Sequence, residues 1–247
     1  MMVIHKIATN FTILISALAG TSALSLSFTK RAEPSLTPSI DTSDPLRGGK
    51  LVGFNGAMSN ALELLNYAVL YPNPNIFAKY FDPVASQSVH DVFRRLLGPD
   101  KQTGAPELAN IQIQTGEPAD DGLAELAIDK DPEFPPLILS EDAFVYPNIN
   151  EIDKSHCDVW ADEGMTLDMY PLGSILLHEY VHWDWFLQSI HHGEVEDQDQ
   201  GYGWEGARKL DKNKALYNAD SYAWYATELF WSIICDRDQG FEDGDGD

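Results

Sequence analysis

The run His178-Glu179-Tyr180-Val181-His182 constrains this chain more than any other stretch. On an α-helix, residues four apart share a face, so both imidazoles can address one cation. Glu179 falls on the adjoining flank. Zinc held there lowers the pKa of a water to about 7, and a neighbouring carboxylate can take its proton as it attacks a peptide carbonyl. Apolar Ile175, Leu176 and Leu177 precede the run, which suits a helix with a buried face. The bland alternative is two unrelated surface histidines. The pattern predicts a zinc ion on His178 and His182, with Glu179 as general base.

A catalytic zinc site needs a third protein ligand and an open position. A third histidine at metzincin spacing is excluded, because Trp185 stands at the glycine position and Gln188 at the histidine position. Carboxylates remain, either Glu205 or Glu228 from a later helix, or Glu194, Glu196, Asp197 and Asp199 just after the motif. Composition does not choose among them. His191-His192 offers a second metal pair, or simply two solvated side chains.

The rest of the chain bounds what can surround such a site. Its 247 residues, 44% hydrophobic and 11% aromatic, suffice for one sizeable core and exclude wholesale disorder. Acidic residues number 39 against 16 basic, a net charge of −23. That surface disfavours nucleic acid and anionic membrane and favours cationic partners. No apolar run approaches the roughly 20 residues of a membrane-spanning helix.

The N-terminus has the form of a secretory signal peptide. His5 and Lys6 precede an apolar stretch over residues 7–19, and Ala23 and Ser25 suit cleavage after residue 25. Lys30-Arg31 is a candidate second processing point. Residues 26–49, rich in Pro, Ser, Thr and Asp towards their end, read as a disordered leader or short propeptide. In an oxidising compartment Cys157 and Cys235 most simply form one disulfide, the alternative being two buried thiols.

Apolar spacing predicts helices over residues 58–70 and 86–97, one from Pro171 to about residue 190 carrying the metal motif, and one over residues 215–234. Short strands are expected over residues 110–115, 136–140 and 143–146. Residues 240–247 read as a solvated acidic tail. The expected domain is therefore α+β and spans residues 50–239.

The HEYVH run, followed by Asp199-Gln-Gly-Tyr202-Gly203 and by ALYNADSYAWYA from Ala215, resembles the deuterolysin and peptidyl-lysine metalloendopeptidase family, the aspzincins. The likeness covers residues 178–231, with a weaker one between residues 137–146 and the family's substrate-edge strand. It implies a zincin-like fold with a small twisted sheet and a zinc endopeptidase whose third ligand is an aspartate. By the spacing to Tyr202-Gly203, that ligand matches Asp199. The family's Gly-Thr pair is missing, and an insertion over residues 183–197 makes Asp197 a rival. The resemblance gives Tyr202 the part of oxyanion donor. It gives Asp220 a supporting part, as an acceptor orienting a metal-bound histidine; an aspartate favoured at a helix start, or a third ligand, are its alternatives. Protein or peptide substrates, with a preference for basic or lysine-containing ones in this family's manner, and a monomeric secreted protein are the accompanying expectations. A secreted zinc-binding protein without peptidase activity is the rival from another class.

Overall fold

The computed structural model describes residues 39–40, 49–100, 104–119, 122–191 and 193–242. The signal peptide, the Lys30-Arg31 pair, most of the leader, His192 and the end of the acidic tail lie outside the described residues.

A two-residue strand, β1 (Ser39–Ile40), is followed by α1 (Gly49–Leu70), α2 (Pro74–Tyr80) and α3 (Ser86–Leu97). The start of α2 is set chemically: Asn73 Oδ1 accepts from the amides of Asn75 and Ile76, and Pro74 supplies a residue already fixed for a first turn. On α3, Val89, Val92, Phe93, Leu96 and Leu97 recur at helical spacing and are all buried. β2 (Gln112–Thr115), β3 (Ala124–Leu126) and β4 (Pro136–Leu139) come next, forming with β1 a sheet of order β1-β2-β4-β3. β2 runs parallel to β1 and β4, with Ile113 opposite Leu137, while β3 is antiparallel to β4. The architecture is α+β.

The chain then continues through α4 (Cys157–Glu163), α5 (Leu172–Val181), α6 (Asp184–Leu187), α7 (Gly203–Lys209), α8 (Lys212–Ala215) and α9 (Ala219–Ile234). Every residue of α5 is buried, so this helix must be wrapped on all sides. α1 and α9 do the wrapping, with β3 along one flank. A side chain at Gly173 would bring its Cβ to 2.6 Å from Asn60 Cβ and 2.7 Å from the Ala61 nitrogen. Glycine at this point is what lets α5 cross so close to α1. The disulfide between Cys157 and Cys235 joins the start of α4 to the end of α9. It contributes about 4 kcal/mol in the chain-entropy model. No helix among the described residues is long and apolar enough to cross a membrane.

Several boundaries differ from the sequence expectations. The motif helix stops at His182 instead of running on to residue 190, because Trp183 leaves helical geometry at ψ 77°. Its indole is buried, donates to the Pro132 carbonyl at 2.8 Å and stacks on Phe186. Tertiary packing thus overrides the local helical pattern. The helix expected over 215–234 divides at Asn218 into α8 and α9. In place of the strand expected over residues 143–146 there is a 3-10 turn, Asp142–Val145, capped by Tyr146. β4 is internal and β3 occupies the edge, so the substrate-edge likeness of residues 137–146 falls on the wrong strand. Ser39–Ile40 belong to the sheet although the leader was expected to be disordered, and Phe241 is buried although the tail was expected to be solvated.

Candidate metal centre

α5 delivers His178 and His182 to the floor of a cleft of about 620 Å³, also lined by β3, Glu179, Asp197, Tyr202 and Trp224. His182 keeps right-handed helical geometry as the C-cap of α5, so it still lies one turn from His178 despite the break that follows. The two Nε2 atoms are 3.2 Å apart. Asp197 Oδ1 lies 3.1 Å from His178 Nε2 and 3.5 Å from His182 Nε2. Among the described residues, these three side chains form the group able to share a metal ion.

The donor set fits zinc. Ligand atoms about 2.0–2.2 Å from one zinc in tetrahedral geometry are about 3.3 Å apart, which is the size of all three edges here. Tautomers agree as well. His178 Nδ1 lies 2.8 Å from Asp220 Oδ1, and His182 Nδ1 lies 2.7 Å from the Val195 carbonyl. Both partners only accept when Asp220 is ionised, so each Nδ1 carries the proton and each Nε2 turns a lone pair towards Asp197. Three electron-rich atoms facing one another at this distance repel unless a cation or protons lie among them.

The local field has the sign a cation requires. Burial pushes the His178 imidazole down, but the carboxylates of Asp197, Asp220 and Glu179 outweigh it and hold the group well above its ordinary value. For His182, burial and the His178 charge act downward, while Asp197 and Glu179 prevail and raise it. Burial pushes Asp197 up, and the two imidazoles reverse this, holding it far below the ordinary carboxylate range.

The third position departs from the expectation. Asp199 is exposed and stands outside the group, whereas its rival Asp197 is inside it. Backbone anchoring explains the offset of two residues. The Glu196 amide donates to the Tyr217 carbonyl, the Glu196 carbonyl accepts from Ala219, and the Val195 amide lies 3.4 Å from Asp184 Oδ1. These contacts fix residues 195–196 beside His182, so the next side chain falls onto the Nε2 pair. The chain then turns at residues 198–201, carrying Asp199 past it. Tyr202 reaches back, its hydroxyl donating to Asp197 Oδ2 at 2.8 Å. Spacing counted from Tyr202-Gly203 does not register that turn.

Asp220, at the start of α9, lies against His178. One oxygen meets His178 Nδ1, and the other accepts from the Gly203 amide at 2.6 Å. Glu205 and Glu228 are elsewhere: Glu205 pairs with Lys209 on an exposed face, and Glu228 is fully buried with Lys79 and Arg208. Glu179 is buried beside the histidines, and its Oε2 accepts from the Leu126 amide on β3 at 2.8 Å. That contact, the Val195 carbonyl and the Gly203 amide are backbone partners with no side-chain signature in the sequence. Tyr222, Tyr225 and Trp231 are core residues, as read from the sequence, while Trp224 also reaches the cleft, stacked on Tyr170 with centroids 4.2 Å apart.

No protein-family model matches the sequence. Two curated fungal proteins do. A Neutral protease 2 homolog of Aspergillus flavus is 28% identical over 180 residues, covering 70% of this chain and 55% of the relative. Neutral protease 2 of Aspergillus oryzae is 28% identical over 180 residues, covering 70% and 45%. The likeness is to proteases. It is distant, and the chain spans about half the length of the curated relatives it matches. It points towards the deuterolysin-like proteases that the motifs at residues 178–231 resemble.

Proposed function

We propose that this chain is a secreted zinc metalloendopeptidase of zincin-like fold, with His178, His182 and Asp197 holding the metal. The observation that carries the reading is the three-atom cluster of tetrahedral size with both Nδ1 atoms committed to acceptors. Secretion is supported by the signal-like N-terminus and by the disulfide.

When bound, zinc acts as a Lewis acid that lowers the pKa of water and polarises a carbonyl. The chain's own residues supply the rest. Glu179, buried at the cleft floor beside the histidines, accepts the proton of the attacking water and returns it to the leaving amine. Tyr202, its hydroxyl held at Asp197, swings its O–H to the developing oxyanion. Leu123 and Ala127 direct their backbone groups to β4, which turns those of Ala124 towards the cleft. An extended peptide can pair with that edge. Glu125, Glu194 and Glu196 on the cleft wall favour substrates carrying lysine or arginine.

The test is Glu179→Gln in the full chain. Casein hydrolysis should fall about a thousandfold, while bound zinc, measured by mass spectrometry, stays near that of the unsubstituted protein. Retained hydrolysis defeats the mechanism. Stoichiometric zinc with no hydrolysis by the unsubstituted protein identifies a zinc-binding protein instead, and iron in place of zinc removes the metal assignment.

A further inference from the structure

A second ionic cluster lies outside the metal centre and ties the C-terminal segment to α7. Glu228 on α9 is fully buried and receives Arg208 at 2.6 Å, Tyr80 Oη at 2.7 Å and Lys79 at 2.8 Å. The dipeptide Gly240–Phe241 threads into this group. The Phe241 amide donates to Glu228 Oε1 at 3.0 Å, and its carbonyl accepts from Lys79 at 2.5 Å and from Arg208 at 3.0 Å. The Phe241 ring is buried, and any Cβ on residue 240 would collide with Glu228 Oε1. Two cations, one carboxylate and one peptide unit thus complete one another's bonds. A buried charge group of this kind is costly when one member is withdrawn.

Arg208 stands near the end of α7, and the residue before that helix is Tyr202. No side chain of its own caps α7; its first amide, from Gly203, is taken by Asp220. α7 is therefore bolted to α9 at both ends, by Asp220 at its start and by Glu228 at its end. Seven residues are too few for a helix to persist alone, so loosening one bolt loosens the other. We infer that Gly240–Phe241 is a positioning element for Tyr202, acting through Arg208 and α7 onto the Gly203–Asp220 contact. This rests on the reading of Tyr202 as oxyanion donor.

Gly240→Ala in the full chain tests it, with Phe241→Ala as a second variant that leaves the glycine in place and Phe241→Leu as the conservative one. Amide hydrogen exchange at Gly203 should accelerate in the first two and recover in the third, with bound zinc unchanged. The kcat for a casein peptide should fall about tenfold with little change in KM. In a Tyr202→Phe background the same substitutions should add no further loss. Gly203 protection that stays at its original level while the Phe241 amide exchanges freely overturns the proposal. So do losses that multiply with that of Tyr202→Phe. A Tyr202→Phe variant with full kcat overturns the oxyanion reading, and the mechanical link is then decided by Gly203 exchange alone.

Discussion

Asp220 shows how much one side chain settles at this site. Its two oxygens fix the His178 tautomer and the start of α7 together. Asp220→Ala should weaken zinc about 10- to 100-fold, read by competition with a chromogenic chelator, and Asp220→Asn should recover only part because it returns no charge. The same residues set a pH dependence. In the metal-free chain both imidazoles are raised above 6.5, so their contribution to stability is fully present below 6.5. That contribution is lost as pH rises through the higher folded-state values. Zinc competes with those protons for the Nε2 atoms. Its affinity should therefore fall on acidification through the raised values, approaching about a hundredfold per pH unit once both rings are protonated. An affinity independent of pH across that range would exclude imidazole ligation.

Among the elements, α5 governs the site because its path past α1 sets where His178 and His182 emerge. Gly173→Ala drives a Cβ into Asn60 and the α1 backbone at Ala61 and should cost about 1–3 kcal/mol, measured by denaturant unfolding, with weaker zinc binding as the helix shifts. Unchanged stability would show that the crossing has slack. The same scale separates what was legible in the sequence from what was not. α3 matches its apolar spacing from end to end, and β2 shows its alternation in buried Ile113 between half-buried Gln112 and Gln114. The histidine pair was legible because helical periodicity alone brings His178 and His182 together. β3 was not, since three residues, Ala124-Glu125-Leu126, carry no strand pattern and gain their place from pairing with β4. Asp197 could be placed only as a rival, because its position depends on a backbone bridge between Glu196 and Asn218, residues far apart in the chain.

At the scale of the whole molecule, the candidate metal centre joins parts that only the folded chain brings together: α5, the segment after it and, through Asp220, α9. A metal bound this way stabilises the native state and has no equivalent site in the unfolded chain. The buried Glu228 cluster closes the opposite end of α7, so the cleft wall is tied to the C-terminal segment as well as to Asp220 beside His178. The most direct measurement is thermal unfolding of the full chain against zinc concentration, alongside Asp197→Ala and Asp199→Ala. At about one hundred times its Kd, zinc should add about 2.7 kcal/mol, or about 5–10 °C in Tm for a domain of this size. The unsubstituted chain and Asp199→Ala should both show that rise, and Asp197→Ala should lose most of it. A full rise in Asp197→Ala with none in Asp199→Ala would contradict the account.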